Sequence, residues 1–309
     1  MSNWGKGVIN NIGWGQGANN NIGWGSIYDK SNAGETLLSG GGNTDAFIIE
    51  VKTDELGISN NDQFQFTGAV GDYNVVAKQN DTQVATFNDL SGQETITLPS
   101  SGIYDLEVKS KEVNGFNRIA FNFSGDKLKI TDIKQWGSIV WSSFDAAFAA
   151  CVNMSNTATD IPNLSSVTSM KNMFRDANSV NSDTTNWDVS SVINMDSLFR
   201  GASSVNPDVS NWDVSKVTNM FFMFRSASSA NPDTSNWDVS SVTNMVQMFR
   251  DSNLSVENLT ACYENWSQLN LRQNVSFSAG STKYNSSGQA GRDILVNTYN
   301  WTITDGGQV

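Results

Sequence analysis

Asn-Trp-Asp-Val-Ser is written three times, at residues 186–190, 211–215 and 236–240, which sets Trp187, Trp212 and Trp237 at a fixed interval of 25 residues. A second block follows each copy: Val192, Met195, Phe199 and Arg200; Val217, Met220, Phe224 and Arg225; Val242, Met245, Phe249 and Arg250. One interval earlier the block recurs at Val167, Met170, Phe174 and Arg175, with Pro162 in place of the tryptophan. A fixed period in the twenties constrains the fold severely. One unit is too short to bury its own apolar side chains, so it must stack on its neighbours.

Within a unit, Val192, Met195, Leu198, Phe199 and Ala202 have the spacing of one face of a short helix. Ser190, Ser215 and Ser240 stand where a hydroxyl would cap that helix, and Arg175, Arg200, Arg225 and Arg250 where a cation would meet its C-terminal dipole. Val205 to Val209, interrupted by Pro207, reads as a short extended segment. Parallel pairing of such segments would set units about 4.8 Å apart. Together these features predict an α/β, leucine-rich-repeat-like solenoid with its repeats at about 161–250.

Stacking would align Asp188, Asp213 and Asp238 beside Asp183, Asp208 and Asp233. Such rows either cap backbone N–H groups or, as oxygen ligands, take calcium. Asn194, Asn219 and Asn244 are expected to satisfy turn backbone inside the coil. The two residues after each block methionine should face outward, and they vary: Lys171-Asn172, Asp196-Ser197, Phe221-Phe222 and Val246-Gln247. A constant scaffold with free outward positions presents a recognition surface. Phe221, Phe222, Val246, Gln247, Asp196 and Ser197 are therefore the candidate receptor-binding residues. Phe221 and Phe222 would otherwise pack on a sister chain.

The rest of the chain flanks this array. Residues 1–43 carry Trp4, Trp14 and Trp24 ten residues apart in a Gly/Asn-rich background, ending at Ser39 to Asn43, a hinge-like stretch. So little apolar side chain cannot hold a core alone, so the periodic tryptophans suggest an anchor that orders against a partner. Residues 44–135 alternate in short runs (Phe47 to Val51, Phe64 to Phe66, Tyr73 to Val76, Val84 to Phe87, Thr95 to Leu98, Tyr104 to Val108, Ile119 to Phe123), the pattern of an all-β sandwich spacer. Residues 136–309 hold the capped array. Phe144 and Phe148 mark an N-terminal cap over Ser143 to Asn153. At the far end Leu259, Tyr263 and Trp266 mark a helix, residues 274–277 a strand, 289–298 a helix and 301–307 a last strand.

Composition narrows the chemistry. The 309 residues carry a net charge of −12 with no basic cluster, against a nucleic-acid groove. There is no histidine, which removes Ser-His-Asp and Cys-His catalysis and the usual zinc and haem ligands. The repeated acids form no unique pair in a cleft, so a glycan depolymerase is the weakest alternative. Cys151 and Cys262 flank opposite ends of the array, beyond disulfide reach, and read as buried packing thiols. No apolar run is long enough to span a membrane, and Met1 to Gly5 lacks an export signal.

The motif Asn-Trp-Asp-Val-Ser-x-Val-Thr-Asn-Met-x-x-Met-Phe resembles the BspA family of leucine-rich-repeat surface proteins. The resemblance extends over most of residues 44–307 and implies a non-enzymatic adhesive protein. Ser101 to Val108 is similar to a strand of PKD-type immunoglobulin-like modules, although their Asp-Gly turn is missing. The Trp/Gly leader resembles the N-termini of structural proteins from phages of Bacteroidetes-type bacteria. The resemblances imply a virion surface protein (a spike, head fibre or tail fibre), made in the host cytoplasm. It would anchor to other virion proteins through residues 1–43 and bind a host-surface glycan or protein through its repeats. A homo-oligomer, most simply a trimer, is expected of such fibres. A BspA-type adhesin on a bacterial cell is the alternative. With so negative a chain, specificity is expected to rest on apolar and hydrogen-bonded contacts.

Overall fold

Alternating burial builds the first sheet. In the computed structural model, which describes residues 45–111, 115–180 and 183–309, strand β1 (Phe47–Lys52) points Phe47, Ile49 and Val51 inward. Its companions are β2 (Gln63–Gln65), β3 (Asp72–Gln79), β4 (Thr82–Ser91), β5 (Thr95–Thr97), β6 (Ile103–Ser110) and β7 (Ile130–Gln135). Tyr73, Val75 and Ala77 of β3 and Tyr104, Leu106 and Val108 of β6 fill the same face. The order is β4-β3-β6-β1-β7, antiparallel throughout, with β2 and β5 paired apart from it. Asn80 and Asp81, both left-handed (φ 50° and 60°), close the β3–β4 hairpin with a two-residue turn whose twist suits the strands. Phe66 meets Tyr73 edge-on at 5.2 Å, which packs the end of β2 over the larger sheet.

One expected strand is absent. Asn122 and Phe123 adopt left-handed backbone (φ 46° and 63°), so residues 119–123 turn instead of extending. Ile119 and Phe121 are still buried, and β7 takes the sheet position beside β1.

The repeat array joins this sheet directly. Strand β8 (Ser155–Asn156) lies in the first coil of the array and pairs parallel with β7. Trp141 meets Phe47 edge-on at 5.0 Å, and Trp136 contacts both Phe47 (5.9 Å) and Trp187 (5.7 Å). The sheet and the array thus share one hydrophobic core.

The units stack, but not through helices. Among the described residues none from 161 to 250 is helical, a correction to the helix expected over Val192 to Ala202. The backbone divides its hydrogen bonds between two directions. The N–H groups of Met170, Asn172, Phe174 and Asp176 donate to the carbonyls of Asn194, Asp196, Leu198 and Arg200 in the next coil, at 2.7–3.0 Å. The intervening N–H groups of Met173, Arg175 and Ala177 donate three residues back within their own coil, to Met170, Asn172 and Phe174. A helix would need every N–H for its own ladder. Two left-handed positions per unit interrupt any such ladder: Asn172, Ser197, Phe222 and Gln247, then Asp176, Gly201, Ser226 and Asp251 (φ 52–70°). Successive four-residue turns bury the same positions as a short helix face would.

Parallel contact also falls elsewhere than expected. Val205 to Val209 forms no strand; single parallel bridges link Ser169, Asn194, Asn219 and Asn244 in sequence instead. Asn194, Asn219 and Asn244 do hold their turns, each Oδ1 accepting an N–H two residues on at 3.0–3.2 Å. Inside, Phe148, Phe174, Phe199, Phe224 and Phe249 form a column with centroids 5.5–5.9 Å apart and near-parallel rings. The tryptophans couple neighbours directly: Trp212 Nε1 donates to Thr184 O (2.9 Å) and Trp237 Nε1 to Val209 O (2.9 Å).

Both ends are covered. Residues 144–150 follow the same path as the repeats, Phe144 and Phe148 donating to Ser169 and Met173 carbonyls. At the other end α1 (Val256–Trp266) starts at a Ser255 cap, and Trp266 Nε1 donates to Thr234 O (3.0 Å), continuing the tryptophan series. Strands β9 (Ser276–Ser278) and β10 (Thr302–Thr304) pair parallel, with α2 (Gln289–Asn297) between them in sequence. Met245 bridges to Phe277, so the ladder runs on into β9. Cys151 and Cys262 are buried and unbridged. The described residues are mostly β and turn, with few helices.

Candidate recognition surface

The outward row starts from the left-handed turns. In each unit one residue of the variable pair has positive φ: Asn172, Ser197, Phe222, Gln247. At three of the four rungs both residues of the pair are exposed or half-buried, between two buried methionines. Phe221 and Phe222 are half-buried and stack on each other, centroids 3.6 Å apart at 25°. Phe222 is also flanked by two guanidiniums, Arg200 at 5.0 Å and Arg225 at 4.5 Å from its ring centroid. Val246 and Gln247, also half-buried, lie one rung further on, tied by the bond from Phe222 N–H to Val246 O (3.1 Å).

Asp196 and Ser197 behave differently. Asp196 accepts from the Ser197 hydroxyl (2.7 Å) and faces Lys171 Nζ at 3.4 Å. Ser197 is only 3 % exposed, so it cannot be an outward contact as the repeat pattern predicts. Its hydroxyl is spent on Asp196, and it is covered where Asn172, Phe222 and Gln247 of the other rungs are half-buried.

The arginines occupy a row on this face instead of helix ends. Arg175 lies 4.7 Å over Phe123 and 3.4 Å from Asp176, and Arg250 is 3.4 Å from Asp251. Arg200 and Arg225 have no carboxylate within ion-pair distance among the described residues. Burial, and the repulsion of Arg175 and Arg225, hold the Arg200 guanidinium below its ordinary value, against the pull of Asp176 and Asp196.

A cleft of about 510 Å³ closes the row at its C-terminal end. Val246, Gln247, Arg250 and Asp251 form one wall, and Ser276, Ser278, Thr302 and Thr304 of β9 and β10 the other. Gln247 lines the cleft, and its Oε1 is buried and has no hydrogen-bond partner. The sequence pattern alone could not find the second wall, which comes from residues outside the repeat register.

The aspartate rows are committed to turns. Asp183, Asp208 and Asp233 each accept the N–H two residues on, and so do Asp188, Asp213 and Asp238, all at 3.0–3.1 Å. The bonds from Ser190 to Asp188 and from Ser215 to Asp213 hold those carboxyls below the usual range. These serines serve the aspartates and cap no helix. Among the described residues no group of three or more His, Cys, Asp or Glu side chains is placed to hold a metal ion. Nor is any helix there long and apolar enough to cross a membrane. Trp4, Trp14 and Trp24 lie outside the described residues.

Residues 142–266 match a family model described as Mycoplasma protein of unknown function, DUF285. No curated protein and no solved structure matches the chain. The DUF285 match runs from the first covering coil to the last residue of α1, so it takes in every stacked unit together with the Trp266 bond that covers them. The candidate residues on the outward row all fall inside it, while β9 and β10 fall outside.

Proposed function

We propose that this chain is a non-enzymatic recognition protein of the virion surface, a spike or fibre subunit that binds a bacterial host through its stacked repeats. One observation carries the reading. The interior of the units is constant and hydrogen-bonded coil to coil, while the outward pairs differ at every rung. Invariant inside and variable outside is how repeat scaffolds present a binding face. On this reading the stack is a short solenoid of the leucine-rich-repeat class, built from turns instead of helices. The sheet before it serves as an immunoglobulin- or PKD-like spacer, and residues 1–43 with Trp4, Trp14 and Trp24 as the anchor to other virion proteins.

The virion assignment rests on the resemblance of that leader to phage structural proteins, and a trimer follows from the symmetry common to fibres. A BspA-type adhesin on a bacterial cell is the second reading, favoured by the repeat motif itself. The two are separated by where the protein is found. Immunogold labelling and mass spectrometry of purified particles should detect it on virions, and deleting residues 1–38 should abolish its incorporation while the remainder still folds. Detection only in the bacterial envelope would overturn the virion reading.

A further inference from the structure

The outward row holds two unmet chemical demands side by side. Arg200 and Arg225 present guanidinium forks with neither a carboxylate within ion-pair distance nor a hydrogen-bonded partner among the described residues; their one contact of note is the face of Phe222. One rung on, Gln247 lines the cleft that Arg250 and the β9–β10 hydroxyls complete, and its Oε1 is a buried acceptor without a donor. The first demand calls for an oxyanion, which a guanidinium grips through paired N–H bonds. The second calls for a hydroxyl or amide donor, since a buried acceptor left empty is costly. The cleft's own surface, with Ser276, Ser278, Thr302 and Thr304 opposite, suits a ligand rich in hydroxyls.

We propose that the face from Arg200 and Arg225 into the cleft at Gln247 and Arg250 binds an acidic saccharide. Its carboxylate or phosphate sits on the two guanidiniums, and the Gln247 amide turns out of its buried position so that Oε1 accepts from one of the ligand's hydroxyls. The proposal rests on the recognition reading and names the ligand class for it. The mutual repulsion of the arginine row, felt at Arg200 from both Arg175 and Arg225, is relieved when an anion arrives. A nucleic acid fits less well, because Asp176, Asp196 and Asp251 punctuate the row and the chain carries a net charge of −12. Local cations in an acidic protein suit a single charged sugar better than a continuous phosphate backbone.

The test titrates the full chain with matched oligomers of galacturonate (carboxylate), phosphorylated dextran (phosphate) and plain dextran (neutral), at low and high salt, with a single-stranded oligonucleotide as a fourth probe. The expected result is binding of one anionic saccharide, weakened by salt, with plain dextran much weaker. Which anionic oligomer binds identifies the charged group. Arg200→Gln with Arg225→Gln should weaken that binding roughly tenfold or more. Lys216→Gln, an exposed cation off the row, should leave it within about twofold. Gln247→Leu should weaken the saccharide while leaving inorganic phosphate unchanged. Should the double variant fail to fold, the salt response and the charged-against-neutral preference of the unaltered chain decide alone. Equal binding of plain dextran, tighter binding of the oligonucleotide, or no binding of either anionic oligomer overturns the proposal. Cell adsorption run in parallel keeps the two readings apart. A chain that adsorbs to host cells but ignores acidic saccharides loses this inference and keeps the recognition reading; one that adsorbs to no cell loses both.

Discussion

Replacing Trp237 by Phe should loosen the stack by breaking the bond that joins it to the preceding unit. Trp237 is 1 % exposed, and its indole donates to Val209 O at 2.9 Å. That carbonyl also accepts from Trp212 N–H (3.1 Å), so the substitution leaves it half-satisfied instead of orphaned. The hydrogen bond contributes about 1 kcal/mol net. A phenyl ring keeps part of the parallel stack on Trp212 (centroids 6.4 Å, 2°), so about 0.5 kcal/mol of that contact is lost. The smaller ring leaves a gap that costs a further ~1–2 kcal/mol. The expected loss is about 3 kcal/mol, read by urea unfolding followed by far-UV circular dichroism so that losing a fluorophore does not intrude. Trp187→Phe is the internal control. Trp187 packs on Trp136 and Phe174 but makes no such carbonyl bond among the described residues, so it should cost about 1 kcal/mol less. Equal losses in the two variants, or a Trp237→Phe loss under about 1 kcal/mol, would refute the claim that the indoles tie the units together.

Other consequences are equally concrete. Gly201→Ala should destabilise by about 1 kcal/mol or more and lower the melting temperature by a few degrees, because φ is +70° and an added Cβ would lie 2.1 Å from Asp176 Oδ1. Neither thiol should react with a disulfide reagent in the folded chain at pH 8, and both should react after denaturation, since burial pushes the Cys151 thiol far up and Cys262 up to about 12. At the C-terminal end, burial opposes ionisation of Asp305, but its bonds from Arg292 Nε (2.7 Å) and Tyr263 Oη (2.7 Å) win and hold its carboxyl below the ordinary range. A depressed folded pKa means that this stabilisation is complete above the unfolded value, about 3.9, and is lost as pH falls through the folded one. Asp305→Asn should therefore cost about 3 kcal/mol at neutral pH and flatten the acid limb of the stability curve, read by thermal melts from pH 7 to pH 2.

Much of this was legible because repetition averages out local ambiguity. The stacking of Phe174, Phe199, Phe224 and Phe249 followed from a constant interval, and the aligned asparagines from the need to satisfy turn backbone. Secondary structure inside the unit was not legible. Met195, Phe199 and Ala202 have the spacing of a helix face, and four-residue turns place them identically; only the left-handed Ser197 and Gly201 distinguish the two, and a serine gives no warning of it. Ser197 looked outward because it shares the register of Asn172, Phe222 and Gln247, and register does not reveal which rung is covered. Strand β7 escaped notice because Ile130, Ile133 and their neighbours are buried on both sides of the alternation, Asp132 included. The cleft could not be read from the chain because β9 and β10 fall outside the repeat register.

Adsorption of the full chain to host cells, compared across outward-row variants, tests the central claim most directly. Phe221→Ser with Val246→Ser changes two half-buried side chains of the row while leaving the coil-to-coil backbone bonds in place. Ile193→Ser, at an exposed residue that belongs to none of the outward pairs, is the control. The account predicts that the double variant adsorbs roughly tenfold more weakly with a melting temperature within a few degrees of the unaltered chain, and that Ile193→Ser adsorbs normally. Unchanged adsorption of the double variant, or an equal loss in Ile193→Ser, would contradict it.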